Sequence, residues 1–375
     1  MKITFPHMGN SHIAIKALLT GLKLEVILPP PITKRTLELG VKYSPEFACL
    51  PLKINVGNFI EALEQGADTV LMAGGWGPCR FGYYAQVERD ILQDLGYSFR
   101  MVVLEAPDFK LSELLNQIKD LAGNVTTLEA LRAARFAWYK LNAVDRLESC
   151  LERVLPRAVD KDKVMNLYHL ALREIDGADS REQVKRVLNN RIIEMEKMEQ
   201  HREPVLRIGL VGEIYTILEP SCNYHIIEQL GRMNVEVKRS VYTSNWVNDH
   251  LLGGLAKGTN RRQILASARP YLNYFVGGHG RETVGYTVEF ARQSFDGIIQ
   301  IGPLTCMPEI VAQSVLGQVG EQEGIPVMTM YFDEHSAAAG IQTRLEAFVD
   351  MLQRRKRLGQ LPIQEEDIHA HVPGC

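Results

Sequence analysis

The sequence predicts an α/β protein in which two parallel-sheet domains are joined by a helical segment. Three observations carry this. Short apolar runs alternate with helix-periodic stretches in both the first and the last part of the chain, the order expected of strands with crossover helices. Between them lies a long stretch with helical spacing, scattered charges and almost no glycine. Several apolar runs end in loops dense with glycine and proline before the next helix begins. The boundaries read as 1–110, 111–203 and 204–375, and the two outer domains have the flavodoxin-like or Rossmann-like alternation of a doubly wound sheet.

Residues 2–5 read as a short strand, 7–12 as a polar loop and 13–22 as an apolar helix. Residues 24–28 form the next strand, closed by Pro29-Pro30-Pro31. A helix fits 59–65, and 69–72 is an apolar run of the buried-strand kind that feeds Gly74-Gly75-Trp76-Gly77-Pro78-Cys79. Residues 83–95 suit a helix and 101–104 a strand. In the middle, 128–139, 145–154, 163–173 and 181–198 have helical periodicity, with Cys150 as a packing residue of that pattern. Arg202-Glu203-Pro204 ends the helices. Strands then fall at 206–211, 236–240, 297–301 and 325–331, and helices at 224–230, 310–319 and 340–358. A polar tail from 364 carries Cys375, which sits too near a terminus to be a ligand.

Composition narrows the function. Hydrophobic residues make up 46% and charged residues 23% of 375 positions, an ordinary globular balance long enough for two or three domains. A formal net charge of -3 gives no electrostatic footprint for nucleic acid. No apolar run reaches the roughly 18–20 residues of a membrane span. The first residues lack the apolar segment and cleavage site of a signal peptide, so the cytoplasm is the expected location.

Six cysteines in a reducing compartment point to metal or redox chemistry before disulfides. The alternative is that each is a small buried hydrophobe, the usual role of a free cysteine. Context separates three of them. Cys79 lies in Gly77-Pro78-Cys79-Arg80-Phe81-Gly82, Cys306 in Gly302-Pro303-Leu304-Thr305-Cys306-Met307-Pro308, and Cys49 in Ser44-Pro45-Glu46-Phe47-Ala48-Cys49-Leu50-Pro51. Cys79 and Cys306 each follow a strand and precede a helix, which puts them outside the carboxyl ends of the strands, where such sheets bind ligands. Structural zinc sites draw on close pairs of cysteines, and none occurs here. Single cysteines on separate loops suit an iron–sulfur cluster between two domains. The pattern alone leaves iron–sulfur, zinc and inert cysteines open. Cys222, in Glu219-Pro220-Ser221-Cys222-Asn223, fits a fourth ligand and an ordinary buried cysteine equally well.

At these residues the sequence resembles the D-component/B-subunit superfamily of 2-hydroxyacyl-CoA dehydratases, in its stand-alone branch of activase-related proteins. The resemblance rests on Phe5-Pro6-His7-Met8-Gly9-Asn10, the Ser44–Cys49 loop with Lys53 and Gly57-Asn58, and the Cys79 loop. Further on it rests on Gly277-Gly278-His279-Gly280, the Cys306 loop through Glu309, Asp333-Glu334-His335 and Thr343-Arg344-Leu345-Glu346-Ala347-Phe348. It implies a cysteine-ligated [4Fe–4S] cluster on Cys49, Cys79 and Cys306, with one iron open to water or substrate. It also implies a separate ATP-hydrolysing activase that injects a low-potential electron, and a CoA ester as substrate. The alternative is a non-catalytic electron or cluster carrier for such a system. No G-x-x-x-x-G-K-[ST] loop is present, so the chain is not expected to hydrolyse ATP itself.

The remaining residues read two ways each. Arg80 can stabilise an anionic cluster or a CoA phosphate, or form a surface salt bridge. His279 can contact a phosphate or move a proton, but a loop histidine in a turn is the simpler reading. Glu309 and Glu334 can act as acid or base, although Asp333 and Glu334 also suit a helix start. His7 and His12 flank the first loop without support for metal ligation. No catalytic residue is assigned, and a homo- or heterodimer stays open.

Overall fold

A computed structural model of the chain describes residues 1–75, 77–104, 125–201, 204–254 and 256–359. The start of the expected helical segment (111–124), residues 202–203 and the expected tail with Cys375 lie outside these. The described residues contain two four-stranded, all-parallel sheets, as the alternation predicts. They fall into two compact units. The first comprises Met1–Asn142, Tyr242–Thr259 and Pro303–Met307; the second comprises Ala143–Val241, Asn260–Gly302 and the chain from Pro308 onward.

In the first unit the sheet is built from β1 (Lys2–Thr4), β2 (Glu25–Val26), β3 (Thr69–Ala73) and β4 (Arg100–Leu104), in the order β2-β1-β3-β4. Its helices are α1 (His12–Gly21), α2 (Lys34–Tyr43), α3 (Leu50–Glu64) and α4 (Tyr84–Asp94). The apolar runs of β3 and β4 are explained by burial on both faces. Val70, Met72, Met101 and Val103 pack with α3 and α4, while Leu71, Val102 and Leu104 pack with Leu19 and Ile15 of α1. Successive strand side chains point to opposite faces, so each face receives alternate residues and its own helices.

Helix α3 is much longer than the 59–65 expected from periodicity. It starts at Leu50 and buries nearly its whole length, polar residues included. Those polar groups find tertiary partners: Lys53 Nζ donates to the Glu46 carbonyl at 2.9 Å, Asn55 to Glu88 at 3.1 Å and Asn58 to the Pro30 carbonyl at 2.9 Å. Helix α2, which the periodicity does not mark, packs on α3 through glycines. A Cβ on Gly40 would stand 1.8 Å from the Lys53 carbonyl oxygen, and one on Gly57 would stand 1.9 Å from that of Thr36. Only glycine allows this approach.

The two expected helices at 128–139 and 145–154 are one, α5 (Thr127–Val154), and the unit boundary falls inside it. It is followed by α6 (Lys161–Gly177), capped by the Asp160 side chain, and α7 (Arg181–Glu196), capped by Ser180. Cys150 is completely buried on α5, as its place in the pattern predicts.

The second sheet repeats the first: β5 (Leu206–Gly212), β6 (Val235–Arg239), β7 (Gly297–Pro303) and β8 (Val327–Phe332) run in the order β6-β5-β7-β8. The helices around it are α8 (Ile214–Leu218), α9 (Ile226–Arg232), α11 (Arg261–Ala268), α12 (Gly280–Arg292), α13 (Met307–Glu323) and α14 (Ala338–Arg357); the short α10 (Thr243–Trp246) belongs to the first unit. Helices α11, α12 and α13 share an apolar core that includes Ala268, Val284, Val288, Ala312 and Leu316. Arg239 of β6 is clamped to α5, its Nε 2.6 Å from Glu152 and its Nη2 2.6 Å from Glu148, and is nearly buried.

Candidate functional site

In each sheet the chain reverses direction of travel at its first strand, between β1 and β3 and between β5 and β7. Ligands of open α/β sheets bind outside the carboxyl ends of the strands at such a point. Cys79 follows β3 and Cys306 follows β7, so the two occupy matching stations of the two sheets. Cys49 stands elsewhere, at the N-terminus of α3.

These three cysteines all belong to the first unit, because Pro303–Met307 groups with it. Arg80 draws their loops together. Its Nη1 donates to the Phe47 carbonyl at 2.8 Å, two residues before Cys49. Its Nη2 donates to the Thr305 carbonyl at 2.9 Å and to the Thr305 hydroxyl at 2.8 Å, immediately before Cys306. Since Arg80 itself follows Cys79, one guanidinium spans the backbone of all three loops. A planar fork with several donors suits such a bridge, where a lysine would offer a single point charge.

Thr305 holds φ at +67°. For a β-branched residue this left-handed conformation is strained, at a cost of about 1–3 kcal/mol, and it persists only where neighbours hold it. The two bonds from Arg80 do so.

The sulfurs differ in setting. Cys49 and Cys79 are half-buried and Cys306 is buried; none of the five described cysteines is in a disulfide. The Cys49 thiol and the Tyr84 hydroxyl are hydrogen-bonded. Cys49 is the N-cap residue of the fifteen-residue α3 without a side-chain capping bond, and Cys306 immediately precedes α13. The positive end of a helix favours thiolate, the ligating form. The donor chemistry therefore suits a cysteine-held metal. Yet among the described residues no group of three or more His, Cys, Asp or Glu is already arranged to hold a metal ion. Cys222 belongs to the second unit, is 1% exposed, and donates its amide to the Glu219 carbonyl at 3.0 Å.

A cleft of about 210 Å³ opens beside Cys49, with Leu52, Tyr84, Val87 and Arg80 among its lining. Glu88 lies one turn past Tyr84 on α4 and is fully buried, with burial pushing its carboxyl up to about 8.

In the second unit His279 is half-buried just before α12, and its carbonyl accepts from the Thr283 amide at 2.7 Å. Its glycine neighbours explain the motif. Gly278 has φ +47°, and a Cβ on Gly280 would meet the Pro308 carbonyl oxygen at 2.6 Å. Glu309 is fully buried, 3.1 Å from the Thr283 hydroxyl and 3.0 Å from the Gln300 amide, and burial pushes its carboxyl up to about 8. Asp333 accepts from the His335 amide and the Ser336 hydroxyl, forming a turn, and α14 starts only at Ala338. His7 and His12 stack with ring centroids 6.0 Å apart.

Sequence reasoning gave no functional role to Tyr84, Lys53 or Thr305, although the last two fall within the stretches that carry the resemblance. Lys53 left a trace, a lone cation in an apolar helix. The other two left none, since a hydrogen bond between distant loops has no local signature.

The fold and these loops define a class: a doubly wound parallel α/β protein, duplicated, with cysteines at the carboxyl ends of its strands. Within that class the chain belongs to the family described as 2-hydroxyglutaryl-CoA dehydratase, D-component, which matches residues 90–352. It is thus a 2-hydroxyacyl-CoA dehydratase-like component. The match takes in Cys222, His279 and Cys306 and begins beyond Cys49, Cys79 and Arg80. No curated protein matches the chain. No described helix is long and apolar enough to cross a membrane.

Proposed function

We propose that the chain holds an iron–sulfur cluster of the [4Fe–4S] type on Cys49, Cys79 and Cys306. In this reading it accepts a low-potential electron from a separate ATP-hydrolysing activase, for radical reduction or dehydration of a CoA thioester. The observation that carries the reading is the Arg80 bridge, which gathers the three cysteine loops by their backbones. Family membership supports it, since dehydratases of this family are generally associated with such clusters.

A bound cluster supplies one-electron chemistry that amino-acid side chains lack. The chain's own residues have three tasks. Arg80 places a positive charge beside an anionic centre while fixing the loops. The Tyr84 hydroxyl hydrogen-bonds the Cys49 sulfur, and bonds to ligating sulfurs tune potential. Lys53, bonded to the Glu46 carbonyl, fixes the loop that carries Cys49. Cys222 is the fourth sulfur to be tested as a ligand, and His279 is the residue to be tested against a CoA phosphate. An oxygen-sensitive centre of this kind suits the cytoplasm.

Anaerobic purification, reconstitution and iron and sulfide analysis test the proposal. The expected product is brown, with roughly four irons per chain, and gives a cluster EPR signal on reduction. Protein that remains colourless and iron-free after anaerobic reconstitution overturns it.

A further inference from the structure

We propose that the outer edge of the second sheet is a self-association surface, on which β8 pairs antiparallel with β8 of a second copy of this chain about a two-fold axis at Thr329. Strand β8 ends its sheet, and no fifth strand joins it among the described residues. The Ile298 amide donates to the Pro326 carbonyl at 2.9 Å, so Pro326 faces β7. The N–H and C=O of one residue point to the same side, and the sides alternate along a strand. Met328 therefore also faces β7, while Val327 and Thr329 face outward, where no loop backbone bonds to either among the described residues. Proteins usually blunt such an edge with charge or a cover. The opposite edge, β6, is blunted so: Glu236 pairs with Arg157, and Arg239 is clamped to Glu148 and Glu152 of α5. Strand β8, Val327-Met328-Thr329-Met330-Tyr331-Phe332, carries no charge at all.

The helix beside this edge favours a second copy as the occupant. Helix α13 lies over β7 and β8: the Gln300 side-chain amide donates to the Glu309 carbonyl at 2.9 Å, and the Tyr331 hydroxyl donates to Gln313 at 3.0 Å. Ile310, Ser314 and Gly317 share the exposed face of Gln313, and no residue from Ile310 to Gly320 is charged. The exposed side of α14 instead carries Arg344, Glu346, Asp350 and Arg354. That helix also turns inward, with Phe348 and Leu352 against Gly297 at the start of β7. Paired strands about 4.8 Å apart put the two α13 helices about 10 Å apart, an ordinary packing distance, with small residues between them. The axis sets Thr329 opposite Thr329 and Val327 opposite Tyr331, a hydroxyl pair and a β-branched–aromatic pair, both favourable across strands. An uncharged surface meets its own image without like-charge repulsion, whereas an acidic or basic partner finds no complement here.

Sedimentation equilibrium of the full-length chain over a micromolar concentration series measures the association, and cross-linking measures its register. The expected species is a reversible dimer in the micromolar range, since one strand and one helix make a small interface. Residues opposite one another in a hydrogen-bonded antiparallel pair have Cα atoms about 5.5 Å apart, within the span of a disulfide. Thr329→Cys therefore forms a disulfide between the two copies of that position under mild oxidation, identified by peptide mass spectrometry. Val327→Cys does not, because about 13 Å of strand separates its two copies. Gly317→Arg tests the helix face apart from folding: a Cβ there meets nothing within 4 Å, and replacing a helical glycine favours the helix. The variant keeps the unfolding midpoint and raises the dissociation constant about tenfold or more, because a charge enters the contact unpaired. A chain that stays monomeric at the top of the series overturns the proposal, even where some other polypeptide occupies the edge. A dimer that cross-links through Val327→Cys and not through Thr329→Cys, or one indifferent to Gly317→Arg, overturns it as well.

Discussion

Arg80 illustrates what one side chain can do when its donors are spread in a plane. It is solvent-exposed, so its three bonds add little to global stability; their effect is local, on the loops. Arg80→Lys is expected to leave the unfolding midpoint nearly unchanged while bound iron is lost several-fold faster on anaerobic gel filtration. Iron retention equal to the parent removes the bridge from the argument. The cysteines give a sharper series. Cys49→Ala, Cys79→Ala and Cys306→Ala should each cut iron per chain by more than half. Cys150→Ala should keep its iron and lose about 1 kcal/mol from the small cavity left in a full core. At this scale Cys79 and Cys306 were legible because glycine and proline mark their loops and a strand precedes each. Tyr84 and Thr305 were not, for their partners lie far away in sequence.

Between elements, stability rests on close approach and on satisfied burial. Helices α2 and α3 touch backbone to backbone at Gly40 and Gly57, so Gly57→Ala must push them apart. Its expected cost is about 3 kcal/mol, read as a lower urea midpoint. Arg239 joins β6 to α5 through two nearly buried carboxylates. Arg239→Leu strands both charges, and breaking such a pair costs about 3–5 kcal/mol; a change below 1 kcal/mol contradicts this account. Periodicity found the strands and most helices but shortened α3, since Lys53, Asn55 and Asn58 interrupt its apolar pattern. Lys53 is buried against the loop that leads into its own helix, and Asn55 and Asn58 against partners 33 and 28 positions away, which no local window contains.

For the whole molecule the buried acids set a pH dependence. Glu88 in the first unit and Glu309 in the second both titrate near 8 when folded, against 4.5 for an ordinary glutamate, with burial as the leading cause. Between these values the folded chain holds protons that the unfolded chain has released. Stability therefore falls as pH rises from about 4.5 to about 8, by up to about 1.4 kcal/mol per pH unit for each group. Glu309→Gln keeps a neutral side chain of the same shape. It should match the parent near pH 5, exceed it at pH 8 and flatten the slope of unfolding free energy against pH. An unchanged slope shows that Glu309 is ionised in the folded protein.

The sequence alone determined that there are two parallel sheets with helical layers, and that two cysteines sit at the carboxyl ends of their strands. Residue spacing and turn chemistry act over a few neighbours, and those neighbours are written in order along the chain. Only the tertiary structure decided that Arg80 reaches Phe47 and Thr305, that Cys49 meets Tyr84 and that an apolar recess opens beside them. Such encounters join residues as many as 225 positions apart. They follow from how whole helices and sheets close on one another, which no stretch of sequence specifies by itself.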